Sequence, residues 1–187
     1  MTSQKDPAQK DPAVRTIDDL LPYLMNRIVS RLNRNLEVRL RRRGLSFQHW
    51  RVLAVLAAAD GRNIAELADC AVIPHSTLSR LLDRMERDRM VERRTAPFDS
   101  RLVEIWLTPE GRDIHADILP LAADESARAL AGLDAETQAG LAAALHRVME
   151  NIGLDRIDQI GARGRRPPVT GRGSGASGLR GAEAGRP

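Results

Sequence analysis

Apolar residues recur at every third or fourth position along most of this chain, which is the spacing of amphipathic helices. The first such stripe runs from Ile17 to Leu36, with Thr16 before it as a candidate N-cap. It is followed by Arg41-Arg42-Arg43 and by Gly44, and both cations and glycine are favoured at a helix C-terminus. The pattern predicts a first helix over residues 16–43 that is too long to bury its stripe against one small lobe.

Five further helices are predicted from residues that suit helix starts. Side-chain oxygens cap the first turn of a helix, and an acid three residues after the cap, such as Glu66, completes a capping box. The candidate starts are Ser46, Asn63, Pro74, Thr108 and Asp134.

One part of the chain alternates apolar and polar residues instead, as a half-buried strand does. Strands are predicted at Val91–Arg94 and Leu102–Leu107, joined by a turn over residues 96–100. Together the patterns predict a mostly α fold of the α+β kind, with six helices and one two-stranded hairpin. Aromatic residues make up only 3% of the chain, so the core must be built from Leu, Ile, Val and Ala.

The net charge of +4 is distributed unevenly. Residues 161–187 contain six arginines and one acid, so that segment carries +5 and the other 160 residues carry −1. The composition of residues 1–15 and 156–187 predicts disordered tails on a domain spanning residues 16–155. Nucleic-acid binding by the domain must therefore depend on where its charges lie.

Several classes of protein are disfavoured by the sequence. No apolar run is long enough to span a membrane, and the N-terminus lacks the apolar stretch of a signal peptide, so we expect a cytoplasmic protein. The single cysteine, Cys70, excludes an intrachain disulfide and is expected to be a small, half-buried filler, with a redox sensor as the alternative. The four histidines lack metal-ligand spacing, and no nucleophile and base pattern is present. We therefore expect no metal, no cofactor and no enzyme activity.

The predicted fourth helix separates its residues onto two faces. On a helical wheel its core face is Leu78, Leu81, Leu82 and Met85. Its outer face combines short hydroxyl residues with arginines, which suit entry into a DNA major groove. These residues are Ser76, Thr77, Ser79, Arg80, Asp83, Arg84 and Arg87. Asp83 is expected to pair with Arg80 or Arg87; for an isolated helix, an ordinary solvated face is the alternative.

The hairpin favours the nucleic-acid interpretation. Arg93, Arg94 and Arg101 flank its turn, and a hairpin tip is narrow enough for a minor groove, whose negative potential attracts guanidinium groups.

The ordered motifs of residues 45–111 closely resemble the MarR family of winged-helix bacterial transcription regulators. The matching segments are Trp50-Arg51-Val52-Leu53, Ile64-Ala65-Glu66-Leu67-Ala68, Ser76 to Glu86, Val91-Glu92-Arg93-Arg94, Asp99-Ser100-Arg101 and Leu107-Thr108-Pro109-Glu110-Gly111.

The resemblance implies a ligand-responsive repressor that binds double-stranded DNA as a homodimer, on a near-palindromic operator. Residues 45–108 would form the winged helix-turn-helix, and helices over 16–43 and 109–153 would form the dimerisation lobe. Arg80 would contact the major groove, Arg101 the minor groove, and Asp99 would orient the wing. The implied set of DNA-binding residues is Ser76, Thr77, Ser79, Arg80, Arg84, Arg87, Arg94 and Arg101.

The resemblance also implies a small aromatic or phenolic effector, for which Trp50 is a candidate contact, although core packing is the simpler role for Trp50. Two positions depart from the family pattern. Arg89 replaces the usual glycine and is expected to adopt positive φ, and Pro74 replaces the usual capping Ser or Thr. The alternative function is a winged-helix module that binds a protein and has no specific DNA site.

Overall fold

The computed structural model describes residues 16–97 and 99–154, so the predicted tails at 1–15 and 156–187 lie outside the described residues. Within them, six helices and three strands follow one another along the chain. The helices are α1 (Leu21–Arg41), α2 (Phe47–Ala58), α3 (Ile64–Ala71), α4 (His75–Arg87), α5 (Pro109–Ala129) and α6 (Ala135–Asn151). The strands are β1 (Arg62–Asn63), β2 (Val91–Ala96) and β3 (Asp99–Leu107). The mostly α fold with six helices is therefore confirmed.

The first helix begins later than predicted. Thr16 starts only a 3₁₀ turn over Ile17–Asp19, where its backbone N–H donates to Asp19 Oδ2 at 2.7 Å. Leu20 is extended, and α1 begins at Leu21 with Pro22 in its first turn. Because proline lacks an N–H and fits only the first turn of a helix, Pro22 prevents α1 from starting earlier.

The other predicted side-chain caps are confirmed. Each cap accepts a hydrogen bond from a backbone N–H three residues later, which satisfies a donor that the first helical turn leaves unpaired. The bonds are His49 N to Ser46 Oγ at 3.3 Å, Glu66 N to Asn63 Oδ1 at 2.9 Å, Gly111 N to Thr108 Oγ1 at 2.9 Å and Thr137 N to Asp134 Oδ1 at 2.8 Å. Pro74 precedes α4 without a side-chain cap, as expected.

The sheet has three strands, not two. The short strand β1 pairs antiparallel with β3, giving the order β1-β3-β2. Two residues are too few to show an alternating pattern, which is why the sequence did not indicate β1. The hairpin of β2 and β3 is also longer than predicted, because Ala96 pairs with Asp99 after a register shift at Thr95.

The hydrophobic core lies in the lobe formed by α2, α3, α4 and the sheet. Leu53, Leu56 and Leu82 are fully buried there. From α1 only Leu36 and Leu40 join this core, and α6 has no buried residue in the described chain. The N-terminal half of α1 and most of α6 therefore project from the lobe with exposed apolar side chains. No helix within residues 16–97 and 99–154 has both the length and the apolar character that a membrane span requires.

Candidate nucleic-acid interface

Helix α4 presents the two faces that its sequence predicts. Leu78, Leu81, Leu82 and Met85 are buried, each at most 1% exposed. The opposite face is open: Ser76, Arg80, Asp83, Arg84 and Arg87 are exposed, whereas Thr77 and Ser79 are half-buried at its edges. The core thus fixes the rotation of α4 and leaves its polar side available to a partner.

Two arginines of this face are not engaged by other side chains. Among residues 16–97 and 99–154, neither Arg80 nor Arg84 makes an ion pair or hydrogen bond from its side chain. Arg87 is held differently, because its Nε donates to the backbone carbonyl of Asp83 at 3.2 Å. Arg80 and Arg84 are therefore the groups of α4 best able to pair with an external anion or base edge.

The partner predicted for Asp83 was wrong. Asp83 bonds neither to the guanidinium of Arg80 nor to that of Arg87; its Oδ1 accepts from Arg93 Nη2 at 2.7 Å. Arg93 also donates from Nη1 to Glu86 Oε2 and from its backbone N to Glu86 Oε1, the latter at 3.2 Å. Arg93 belongs to β2, so these contacts join the strand to the exposed side of α4.

We call the hairpin of β2 and β3 the wing. Near its tip, Arg101 is exposed, and its backbone N donates to Asp99 Oδ1 at 2.9 Å. Its guanidinium has no acidic partner in the described part of the chain. The carboxylate of Asp99 therefore holds the backbone that carries Arg101.

Arg94 lies farther from the tip and is already occupied. Its guanidinium pairs with Glu92 and lies 4.9 Å from the ring centroid of Trp106. The indole of Trp106 donates from Nε1 to Glu104 Oε2 at 3.1 Å and packs over Gly61, where a Cβ would overlap the ring. Of the wing arginines, Arg101 therefore has the freest guanidinium, Arg94 shares its own with the sheet surface, and Arg93 is bound to α4.

The remaining candidate residues lie away from this surface. Trp50 on α2 stacks on His115 of α5, with ring centroids 5.5 Å apart and planes 3° from parallel. Burial lowers the pKa of His115, which favours the neutral imidazole. Cys70 is half-buried, and burial raises the pKa of its thiol, which disfavours the reactive thiolate form.

Sequence reasoning missed the role of Arg93. A signal was present, because two acids on one face of α4, Asp83 and Glu86, precede a strand that carries an arginine. Helical periodicity places the acids, but only the packing of β2 against α4 shows that one guanidinium reaches both.

Comparison with known proteins agrees with this geometry. A sequence model of the MarR family matches residues 43–102. The HTH-type transcriptional repressor IacR of Pseudomonas putida is 30% identical over 117 residues, which cover 59% of this chain and 70% of that protein. The homoprotocatechuate degradative operon repressor of Escherichia coli is 36% identical over 75 residues, covering 40% of this chain and 51% of that protein. The chain thus spans about half the length of this second relative.

Solved structures share the fold. A MarR-family transcriptional regulator from Silicibacter pomeroyi superposes with a TM-score of 0.68 and 36% identity, covering 73% of this chain and 92% of that one. The apo form of MarR from Escherichia coli gives a TM-score of 0.61 at 26% identity, covering 70% and 96%. The chain therefore belongs to the MarR family of DNA-binding transcriptional regulators.

Proposed function

We propose that this regulator acts as a repressor, binding a near-palindromic operator as a homodimer and releasing it when a small ligand binds. One observation carries the DNA-binding part: the contacts of Arg93 place β2 beside the exposed face of α4. The free guanidinium groups of α4 and the wing therefore belong to one continuous surface, with a helix for a major groove and a hairpin for the next minor groove.

The roles follow from which groups are free. Arg80 reads base edges, with guanine as its preferred partner, while Ser76, Thr77 and Ser79 contact bases or phosphates at close approach. Arg84 and Arg87 bind phosphates, and Arg101 enters the minor groove from a backbone that Asp99 orients. Arg94 contributes a phosphate contact at the side of the wing, where Trp106 supports it.

The exposed apolar surface supports the homodimer. Ile28 and Val29 on α1 are 55% and 44% exposed, and Leu141 on α6 is 43% exposed. Large exposed apolar areas on a protein surface mark interaction sites. A two-fold partner covering α1, α5 and α6 would place two copies of α4 about 34–36 Å apart, one turn of DNA. In this proposal residues 45–108 bind DNA, and helices over 16–43 and 109–153 form the dimer.

An aromatic acid fits the ligand site that we propose at Trp50. The indole of Trp50 and the imidazole of His115 stack face to face, half-buried, between α2 and α5, and a further aromatic ring can extend such a stack. The names of two similar proteins refer to such compounds. One is the repressor of a homoprotocatechuate degradative operon, and the structure of Bordetella bronchiseptica BpsR, 18% identical, concerns regulation of DNA binding by 6-hydroxynicotinic acid.

A DNA mobility-shift assay with the duplex immediately upstream of the gene tests the proposal. Wild-type protein should shift that duplex at low salt, and Arg80→Ala and Arg101→Ala should each weaken binding by about 10- to 100-fold, because each removes a groove contact of roughly 1–3 kcal/mol. Sedimentation of both variants should show the same oligomer as the wild type. Arg41→Ala is the matched control, because Arg41 is exposed and pairs with Glu37 in the half of α1 attached to the winged lobe, outside α4 and the wing.

Three outcomes decide between functions. Absence of any wild-type shift would reject the DNA-binding proposal, and retained partner binding by both arginine variants would favour the protein-interaction alternative. Hydroxybenzoates added to the shifted complex should release the DNA from the wild type and not from Trp50→Ala; release from both would reject Trp50 as the ligand contact.

A further inference from the structure

Arg93 connects the two elements that the proposed function assigns to different DNA grooves. Its guanidinium bonds to Asp83 at 2.7 Å and to Glu86, and its backbone N–H donates to Glu86 at 3.2 Å. We name this set of three residues the helix–wing link. The two acids are one turn apart on α4, so one planar guanidinium reaches both, as the fork geometry of arginine allows.

The link leaves Arg93 poorly available to DNA. Its side chain is 26% exposed, whereas those of Asp83 and Glu86 are 59% and 39% exposed. Burial lowers the pKa of Arg93, but the hydrogen bonds and charges of the two carboxylates outweigh burial and raise it overall. With two carboxylates against one guanidinium, the three charges sum to −1, so the link as a whole repels phosphate.

On the proposed DNA surface, the carboxylates of Asp83 and Glu86 repel phosphate and so oppose DNA binding. Their presence there suggests that they have another function that favours binding. We propose that Arg93 is a positioning residue for DNA binding. Through Asp83 and Glu86 it fixes the wing against α4, so that Arg80 and Arg101 reach adjacent grooves together. This inference rests on the proposed DNA-binding function and adds to it a residue that acts without touching DNA.

Neutralising Asp83 changes DNA affinity in opposite directions depending on whether Asp83 only repels phosphate or holds Arg93. If Asp83 only repels phosphate, Asp83→Asn binds DNA more tightly than the wild type. If Asp83 holds Arg93, the variant releases the wing and binds about five- to tenfold more weakly, as expected for loss of one coupled charge pair. Asp88→Asn is the matched control: it removes the same charge one residue after α4, from an exposed carboxylate with no ion pair in the described chain. The control should bind equally or more tightly.

A charge reversal separates positioning from direct contact. Arg93→Glu should weaken DNA binding, and adding Glu86→Arg should recover most of the affinity, because the pair re-forms with opposite polarity. Glu86→Arg alone is measured as well, because its added positive charge favours DNA binding whether or not the pair re-forms. If Arg93 contacted phosphate directly, the double variant would recover no more affinity than the two single variants predict by addition. Thermal unfolding of each variant confirms that it is folded before binding is compared.

Fluorescence anisotropy with a labelled upstream duplex measures all of these proteins at one salt concentration. The inference is supported if Asp83→Asn binds DNA more weakly than the wild type, if Asp88→Asn does not, and if the double variant recovers more affinity than addition predicts. Tight binding by Asp83→Asn, or no recovery beyond addition, overturns it while the proposed function stands. If the wild type does not bind, the proposed function fails and this inference fails with it.

Discussion

Val72 holds a backbone conformation that a β-branched residue seldom adopts. It follows α3 with φ 52° and ψ 50°, in the left-handed region, and its side chain is 71% exposed. Its N–H donates to Asp69 O at 3.2 Å, and its carbonyl accepts from Arg51 Nη1 at 3.0 Å. These bonds fix the turn between α3 and α4 in a geometry that glycine adopts without strain.

Val72→Gly should therefore raise the free energy of unfolding by about 1 kcal/mol. Relief of left-handed strain contributes about 1–2 kcal/mol, and the greater freedom of glycine in the unfolded chain offsets about 0.5–1 kcal/mol of it. Little burial is lost because the side chain is exposed. Urea unfolding measures the difference, with Val103→Gly in β3 as a control that should destabilise. A lower stability for Val72→Gly would contradict this account.

For single residues, prediction from sequence succeeded where the residue or its position in a motif indicates the backbone conformation. Arg89 has the expected positive φ, 58°. This could be predicted because the resembling family usually has glycine at this position. Val72 gave no such signal, since valine indicates nothing about a left-handed turn. Arg93 failed for a different reason: its partners lie seven and ten residues earlier in the chain, and only the packing of two elements brings them together.

At the scale of elements, the contacts at the start of α5 explain the threonine and the glycine of the Thr-Pro-Glu-Gly motif. Thr108 donates from its backbone N to Met90 O at 3.2 Å and from its hydroxyl to Arg89 O. Gly111 lies against the same segment, where a Cβ would collide with the carbonyl oxygen of Met90. The glycine of the Thr-Pro-Glu-Gly motif is therefore required by close contact between α5 and the base of the wing.

Gly111→Ala should lower the free energy of unfolding by about 3 kcal/mol or more, because a backbone oxygen cannot move aside as a flexible side chain can. Gly140→Ala in α6 is the matched control, since a methyl group at that position would meet no atom within 4 Å and alanine is the better helix former by about 1 kcal/mol. Thermal unfolding compares the two. Equal stability of Gly111→Ala and the wild type would disprove the close contact.

Helices and their caps could be predicted because each depends on residues close in sequence. The predictions that failed at this scale involve more distant relations. Strand β1 exists only because β3 pairs with it, and the late start of α1 depends on Pro22, which the apolar stripe does not reveal. The candidate DNA surface was predicted in outline from the faces of α4, but the occupied state of Arg94 and the link through Arg93 required the fold.

For the whole molecule, the distribution of apolar surface matters most. The lobe of α2, α3, α4 and the sheet buries its own core, whereas the projecting parts do not. The exposed apolar residues of these parts are Ile17, Leu20, Leu21, Leu24, Met25, Ile28, Val29, Leu119, Leu133, Leu141, Ile152 and Leu154. In the proposed dimer, this surface is the interface.

Ile28→Glu should weaken dimerisation at least tenfold, because it places a charge in the proposed interface at a cost of about 1.4 kcal/mol or more. Val38→Glu is the matched control, since Val38 is 54% exposed against 55% for Ile28 but lies in the half of α1 attached to the winged lobe. Sedimentation equilibrium measures both. A dimer unaffected by Ile28→Glu would remove this half of α1 from the interface.

Asp60, two residues after α2, joins the base of the wing to the start of α5. Its Oδ1 accepts from Leu107 N at 2.8 Å, and its Oδ2 pairs with Arg112. From this joint β3 extends nine residues, about 30 Å at roughly 3.3 Å per residue. A rotation of α5 by about 5° would therefore displace the wing tip by about 2.5 Å, a large fraction of a minor groove about 6 Å wide. In the proposed function, a ligand between α2 and α5 that rotates α5 slightly would displace the wing tip much farther and withdraw Arg101 from the minor groove.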